Sequence, residues 1–168
     1  AGDVWLGTNG GQYLNPQAGS YAYRSMMHEI GHSLGLSHVA ESVADLYDQQ
    51  RYTVMSYNSS SAIDGLYMDF YPTTFMLTDV AALQVLYGVN TRNVDTRDAN
   101  GNAYAPNANG VITKDGNPND LYKWASGTKI FETVYDAGGN DTIDGSNQLQ
   151  AVSINLNPGT FSNIGANI

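Results

Sequence analysis

The chain has 168 residues, 42% of them hydrophobic, and carries 16 acidic against 7 basic side chains for a net charge of −9. That supports a real core in one domain, or one and part of another, and argues against wholesale disorder. It excludes nucleic acid and anionic membrane surfaces as natural partners, since both need basic patches, and no apolar run approaches bilayer-spanning length.

An acidic surface suits extracellular life and hard cations such as calcium, although a solvated acidic face accounts for much of this charge. Cysteine is absent, so no disulfide holds the fold and no thiolate can ligate a metal. Zero cysteine does not by itself decide the compartment; in a secreted protein bound calcium would be the obvious substitute staple. The chain opens without a charged-then-apolar leader, which leaves a mature form, a leaderless export route or a fragment open.

In chain order, residues 3–8 alternate Val4 and Leu6 with Trp5 and Gly7 and predict a short strand. Asn9-Gly10-Gly11 predicts a turn, and the polar loop 15–20 places Ser20 as a helix N-cap. A helix follows over 21–34, with Tyr23, Met27, Ile30 and Leu34 as its apolar face and His28 and His32 on another.

That helix carries His28-Glu29-Ile30-Gly31-His32, continued through Gly35 to His38, and all three histidines of the chain lie in this eleven-residue window. At about 100° per residue, positions four apart share a helix face, so His28 and His32 reach one metal ion. Glu29 is offset around the helix and reaches a water on that metal. Gly35, lacking Cβ, lets the helix end in a left-handed turn that brings His38 back to close a third position. A zinc ion on three histidines keeps an open position for water, the mark of a catalytic site.

Residues 39–52 are mixed polar with Tyr47 the notable aromatic. The β-rich run 52–57 then contains Met55 and Tyr57, each by itself ordinary core or half-buried material. After an irregular aromatic-rich stretch at 66–76, Thr78 predicts the cap of a second helix running to Tyr87. Asp79 falls in its first turn, Val80, Leu83, Leu86 and Tyr87 form its packing face, and Gly88 stops it. Residues 90–120 are Asn-, Asp-, Gly- and Thr-rich loop material. Residues 129–135 and 149–156 alternate like strands. Between them, Tyr135-Asp136-Ala137-Gly138-Gly139-Asn140-Asp141-Thr142-Ile143-Asp144-Gly145 combines backbone freedom, hard oxygen ligands and one inward apolar residue. Such repeats build calcium-binding β-rolls, while a Gly-Asn hairpin loop is the plain alternative for a single copy.

HEIGHSLGLSH followed by the methionine of TVMSY resembles the metzincin group of zinc endopeptidases, and YDAGGNDTIDGS narrows the resemblance to the serralysins, secreted bacterial alkaline proteases. It runs over essentially the whole chain. It implies an α+β fold: residues 1–88 as the lower portion of a metzincin catalytic domain, with zinc helix and methionine turn, and residues 89–168 as the junction and start of a calcium-binding parallel β-roll (RTX-like) domain. It implies His28, His32 and His38 as zinc ligands, Glu29 as catalytic base, Met55 as the floor beneath the metal, and Tyr57 as a switchable zinc ligand. For calcium it implies backbone oxygens of Arg92, Val94 and Thr96 with Asp136, Gly138 and Asp141, and Gly139 with Asp141 for a neighbouring ion. Val94 stands where the family often has glycine.

Serralysins carry a sizeable part before the zinc helix, where this chain has 27 residues ahead of His28, and they continue through many further Gly-Asp repeats. The resemblance therefore implies a fragment, with a second chain or a missing N-terminal segment completing the catalytic domain. The function implied is a secreted, extracellular, zinc-dependent endopeptidase that takes protein or peptide substrates with broad specificity, the substrate lying extended along the 3–8 strand. Two alternatives stand beside it: a non-enzymatic calcium-binding extracellular module, and a zinc-binding fragment inactive without its missing part.

Overall fold

A computed structural model of the chain describes residues 2–7, 10–39, 47–58, 70–90, 121–136 and 141–165. They form an α+β structure in which the chain divides into two compact units. The first comprises Ala1–Val89 with Phe131–Val134 and Ile168, and the second comprises Asn90–Ile130 and Tyr135–Asn167.

In the first unit, helix α1 (Tyr21–Ser33) begins where predicted. The Ser20 hydroxyl accepts the Tyr23 N–H at 3.2 Å and satisfies one of the donors that a helix start leaves unpaired. The helix stops at Leu34 because Gly35 adopts φ 95°, a left-handed conformation. Leu36 N–H then bonds Gly31 C=O at 2.9 Å and Gly35 N–H bonds His32 C=O at 3.0 Å, a Schellman closure that reverses the chain within two residues.

The buried side of α1 differs from the one the apolar spacing predicts. Ala22, Arg24, His28 and Gly31 are buried, whereas Ile30 is exposed. Apolar side chains occur around most of this helix, so period alone does not choose its inner face. The stripe against the 53–56 segment wins because Gly31 permits close approach there and Arg24 and His28 find polar partners.

Helix α2 (Leu77–Tyr87) has Met76 as its N-cap and so starts two residues earlier than the Thr78 cap predicts. The Thr78 hydroxyl and N–H are both committed to Tyr52 C=O, at 2.7 and 2.9 Å, and Asp79 instead reaches back to accept the Met76 N–H at 2.9 Å. Gly88 ends the helix with φ 87°. Leu83 packs inward as predicted, joined by Ala82, but Leu86 and Tyr87 are exposed; the Tyr87 hydroxyl donates to Leu34 C=O at 2.8 Å and ties the end of α2 to the end of α1.

The core consists of Leu36, Val54, Met55, Met76 and Phe131, flanked by Met27, Phe70, Phe75, Ala82 and Leu83. Phe131 enters it because the 131–134 stretch returns to this unit, held by Thr73 N–H to Phe131 C=O at 2.9 Å and Thr133 N–H to Thr74 Oγ1 at 2.8 Å. Residues 2–7 form no strand, contrary to the alternation read there. Trp5 is 89% exposed, so these residues lack among the described chain the paired neighbour and buried face that make alternation a strand.

In the second unit, β1 (Leu121–Lys123) and β2 (Thr142–Asp144) pair in parallel, with Tyr122 opposite Ile143 and Lys123 opposite Asp144. Lys123 and Asp144 form an ion pair across the register, which together with the Ser146 bonds holds the Asp144 carboxyl below the usual carboxylate range. The strands predicted at 129–135 and 149–156 do not form. The second of these contributes only the antiparallel bridge Ser153 to Asn163, and most of its side chains face solvent. The loop material expected over 90–120 lies outside the described residues from position 91 on.

Candidate metal centre

The Schellman turn after α1 brings His38 back over the helix. His28 Nε2 and His32 Nε2 each lie 3.0 Å from His38 Nε2, and the Tyr57 hydroxyl lies 3.0 Å from the same nitrogen. The three histidine donors fall within 4.8 Å of one another. Neighbouring donors on a tetrahedral zinc with bonds of ~2.0–2.1 Å sit about 3.3 Å apart, so the observed spacing fits such an ion.

The donor chemistry fits as well. His28 Nδ1 bonds Val54 C=O at 2.8 Å and His32 Nδ1 bonds Leu36 C=O at 2.9 Å. A carbonyl can only accept, so Nδ1 carries the proton in both rings and the Nε2 lone pairs point inward, as metal-ligating histidines require. Burial holds the His28 imidazole below the ordinary histidine range, with the Val54 bond opposing that shift, and so favours the neutral, ligating form.

Met55 lies against α1 and Glu29 lies on it. Met55 is 2% exposed, and its Sδ lies beneath Gly31 on the inner side of α1. Glu29 is exposed, one residue beyond His28 on α1. Tyr57 is 68% exposed, open to solvent on one side of the cluster.

Of the residues expected to hold calcium, Arg92, Val94, Thr96, Gly138 and Gly139 lie outside the described residues. Asp136 Oδ2 accepts the Tyr122 hydroxyl at 2.6 Å, and Asp141 immediately precedes β2.

Residues 108–167 match the model of the Peptidase M10 serralysin C-terminal family. The chain is 34% identical to Serralysin B of Dickeya chrysanthemi over 180 residues, covering 98% of this chain and 35% of that protein. It is 34% identical to Metalloprotease AprA of Pseudomonas entomophila over 187 residues, covering 99% of this chain and 36% of the relative. Against Serralysin of Proteus mirabilis the identity is 34% over 162 residues, 89% of this chain and 31% of that one. The chain is similar to serralysins along almost its whole length. It spans about a third of the length of the curated relatives it matches.

Several residues around the histidines carry no sequence signal of their own. Arg24 is buried; its Nη2 donates to Ser56 C=O, and its guanidinium centre lies 5.8 Å from the centroid of the Tyr57 ring. Gly31 admits Met55, since a Cβ there would stand 2.6 Å from Met55 Sδ. Asp79 is buried on α2, where desolvation pushes its carboxyl up against the pull of hydrogen bonds from Thr53, Val54 and Met76. Buried Arg and Asp in helices of this composition would have been the available hint, because such groups are rarely buried without partners.

Proposed function

We propose that this chain carries the metal-binding portion, zinc helix and methionine turn, of a secreted extracellular zinc endopeptidase that cleaves proteins with broad specificity. The observation that supports this most directly is the convergence of His28, His32 and His38 Nε2, two of them with Nδ1 held on backbone carbonyls. A zinc ion bound there supplies Lewis acidity toward a carbonyl oxygen and toward water, whose pKa it lowers to about 7. Glu29 accepts the proton of the attacking water and returns it to the leaving amine. With zinc bound, the Tyr57 hydroxyl would be placed to serve as a fourth protein donor or to donate to the oxyanion. Met55 forms the apolar floor.

The substrate peptide is read mostly through its backbone, which gives the broad specificity. A second chain or preceding segment completes the catalytic domain, a reading supported by the third of its relatives' length that this chain spans. In the other unit, Asp136 and Asp141 with Arg92, Val94, Thr96, Gly138 and Gly139 hold calcium. Among the described residues no helix is long and apolar enough to cross a membrane.

The family match confined to residues 108–167 favours a second reading, a calcium-binding module or a zinc-binding piece inactive by itself. Elemental analysis with a casein digestion assay separates these. The peptidase reading expects one zinc per chain in both wild type and Glu29→Gln, with proteolysis falling at least ~10²-fold in the variant. Calcium without stoichiometric zinc supports the module; zinc without turnover supports the inactive piece.

A further inference from the structure

A buried carboxylate on α2 is connected to the histidine cluster through the Thr53 hydroxyl and the backbone of residues 53–55. Asp79 is 2% exposed and accepts three hydrogen bonds: from the Thr53 hydroxyl, from Val54 N–H at 2.8 Å and from Met76 N–H at 2.9 Å. Thr53 Oγ1 in turn accepts the Met55 N–H at 2.9 Å. The peptide planes on both sides of the Val54 Cα are thereby held, the 53–54 plane by Asp79 directly and the 54–55 plane through Thr53. A peptide unit is rigid and its N–H and C=O point in opposite directions. Holding the Met55 N–H therefore aims the Val54 carbonyl the other way, and that carbonyl bonds His28 Nδ1 at 2.8 Å.

We infer that Asp79 is a positioning residue for the metal centre: it orients the Val54 carbonyl, which fixes the tautomer and ring direction of His28. The inference rests on the zinc reading of the histidine cluster. It assigns Asp79 more than the joining of α2 to the 53–56 segment, since that role would set unfolding stability and leave the metal affinity of the folded chain alone. Partners that orient a ligating imidazole are worth roughly 10- to 100-fold in metal affinity.

The test uses the 168-residue chain with zinc as the probe. Asp79→Asn keeps the shape but offers a single amide oxygen, so with that oxygen on the Val54 and Met76 N–H groups the Thr53 hydroxyl loses its acceptor and meets amide hydrogens instead. Thr53→Val removes the hydroxyl between Asp79 and the Met55 N–H, and Thr53→Ser restores it. Zinc affinity is read by competition with a chromophoric chelator, and site geometry by the visible d–d bands of the cobalt-loaded protein, with circular dichroism confirming that each variant is folded. Asp79→Asn is expected to lose roughly 10- to 100-fold in zinc affinity and to alter the cobalt bands; Thr53→Val moves the same way and Thr53→Ser recovers. Should Asp79→Asn fail to fold, the Thr53 pair decides. Folded variants with wild-type affinity and unchanged cobalt bands overturn the inference alone. A wild-type chain that binds no zinc overturns the reading of the site beneath it.

Discussion

At the residue scale, the candidate centre depends on which nitrogen of each histidine is free. His28 and His32 resolve that by donating Nδ1–H to Val54 and Leu36 carbonyls, so each ring is oriented by the backbone. Burial also gives His28 a titration signature. Its folded pKa lies below the ordinary value of 6.5, so the unfolded chain takes up a proton near 6.5 that the folded chain refuses. The corresponding stability is present above that value and is lost as pH falls through it toward the folded pKa. Urea unfolding of the zinc-free chain should therefore show a lower midpoint near pH 5 than near pH 7.5. His28→Gln should flatten that dependence; an equal slope in the variant would show that other groups cause it.

At the element scale, α1 is held against the 53–56 segment by one missing side chain. A Cβ on Gly31 would meet Met55 Sδ at 2.6 Å, Phe75 Cε1 at 3.4 Å and Leu36 Cδ1 at 3.5 Å. Met55 is itself enclosed, so it cannot swing aside without displacing the core around it. Gly31→Ala is expected to destabilise the chain by about 1–3 kcal/mol despite the higher helix propensity of alanine, measured by denaturant unfolding. A gain in stability would mean that helix and segment separate more easily than this packing allows. Because the same contact spaces α1 from the methionine, the variant should also loosen the histidine cluster above it.

At the scale of the whole molecule, the core of the first unit among the described residues is a small cluster of five buried apolar residues, one of them, Phe131, delivered from far along the chain. A ligand that binds only the folded state adds stability by mass action. Free zinc at a hundredfold excess over its dissociation constant contributes about 2.7 kcal/mol. Chelating zinc from the loaded chain should thus lower its melting temperature by several degrees, and adding zinc back should restore it. An unchanged melting curve would count against a zinc site in this chain. The second unit has only the three-residue parallel pair and scattered polar bonds in its described part, so calcium is expected to matter more to its order than apolar burial does.

The histidine spacing, the Ser20 cap and the Gly35 stop were legible in the amino-acid sequence, because each depends on helix geometry and on groups within a few residues of one another. The α+β fold is implied by the resemblance that HEIGHSLGLSH, TVMSY and YDAGGNDTIDGS carry. What only the tertiary structure decided is where partners come from. Residues 3–8, 129–135 and 149–156 alternate like strands, yet their described residues form none, since a strand requires a neighbour that alternation cannot supply. The inner face of α1 is chosen by Met55 and by the polar partners of Arg24 and His28, more than 20 positions away, and not by its apolar stripe. Asp79 reads locally as a favourable first-turn acid. Its connection to His28 through Thr53 and Val54 exists only once α2 and the 53–56 segment are packed together, because buried donors must find acceptors wherever the fold places them.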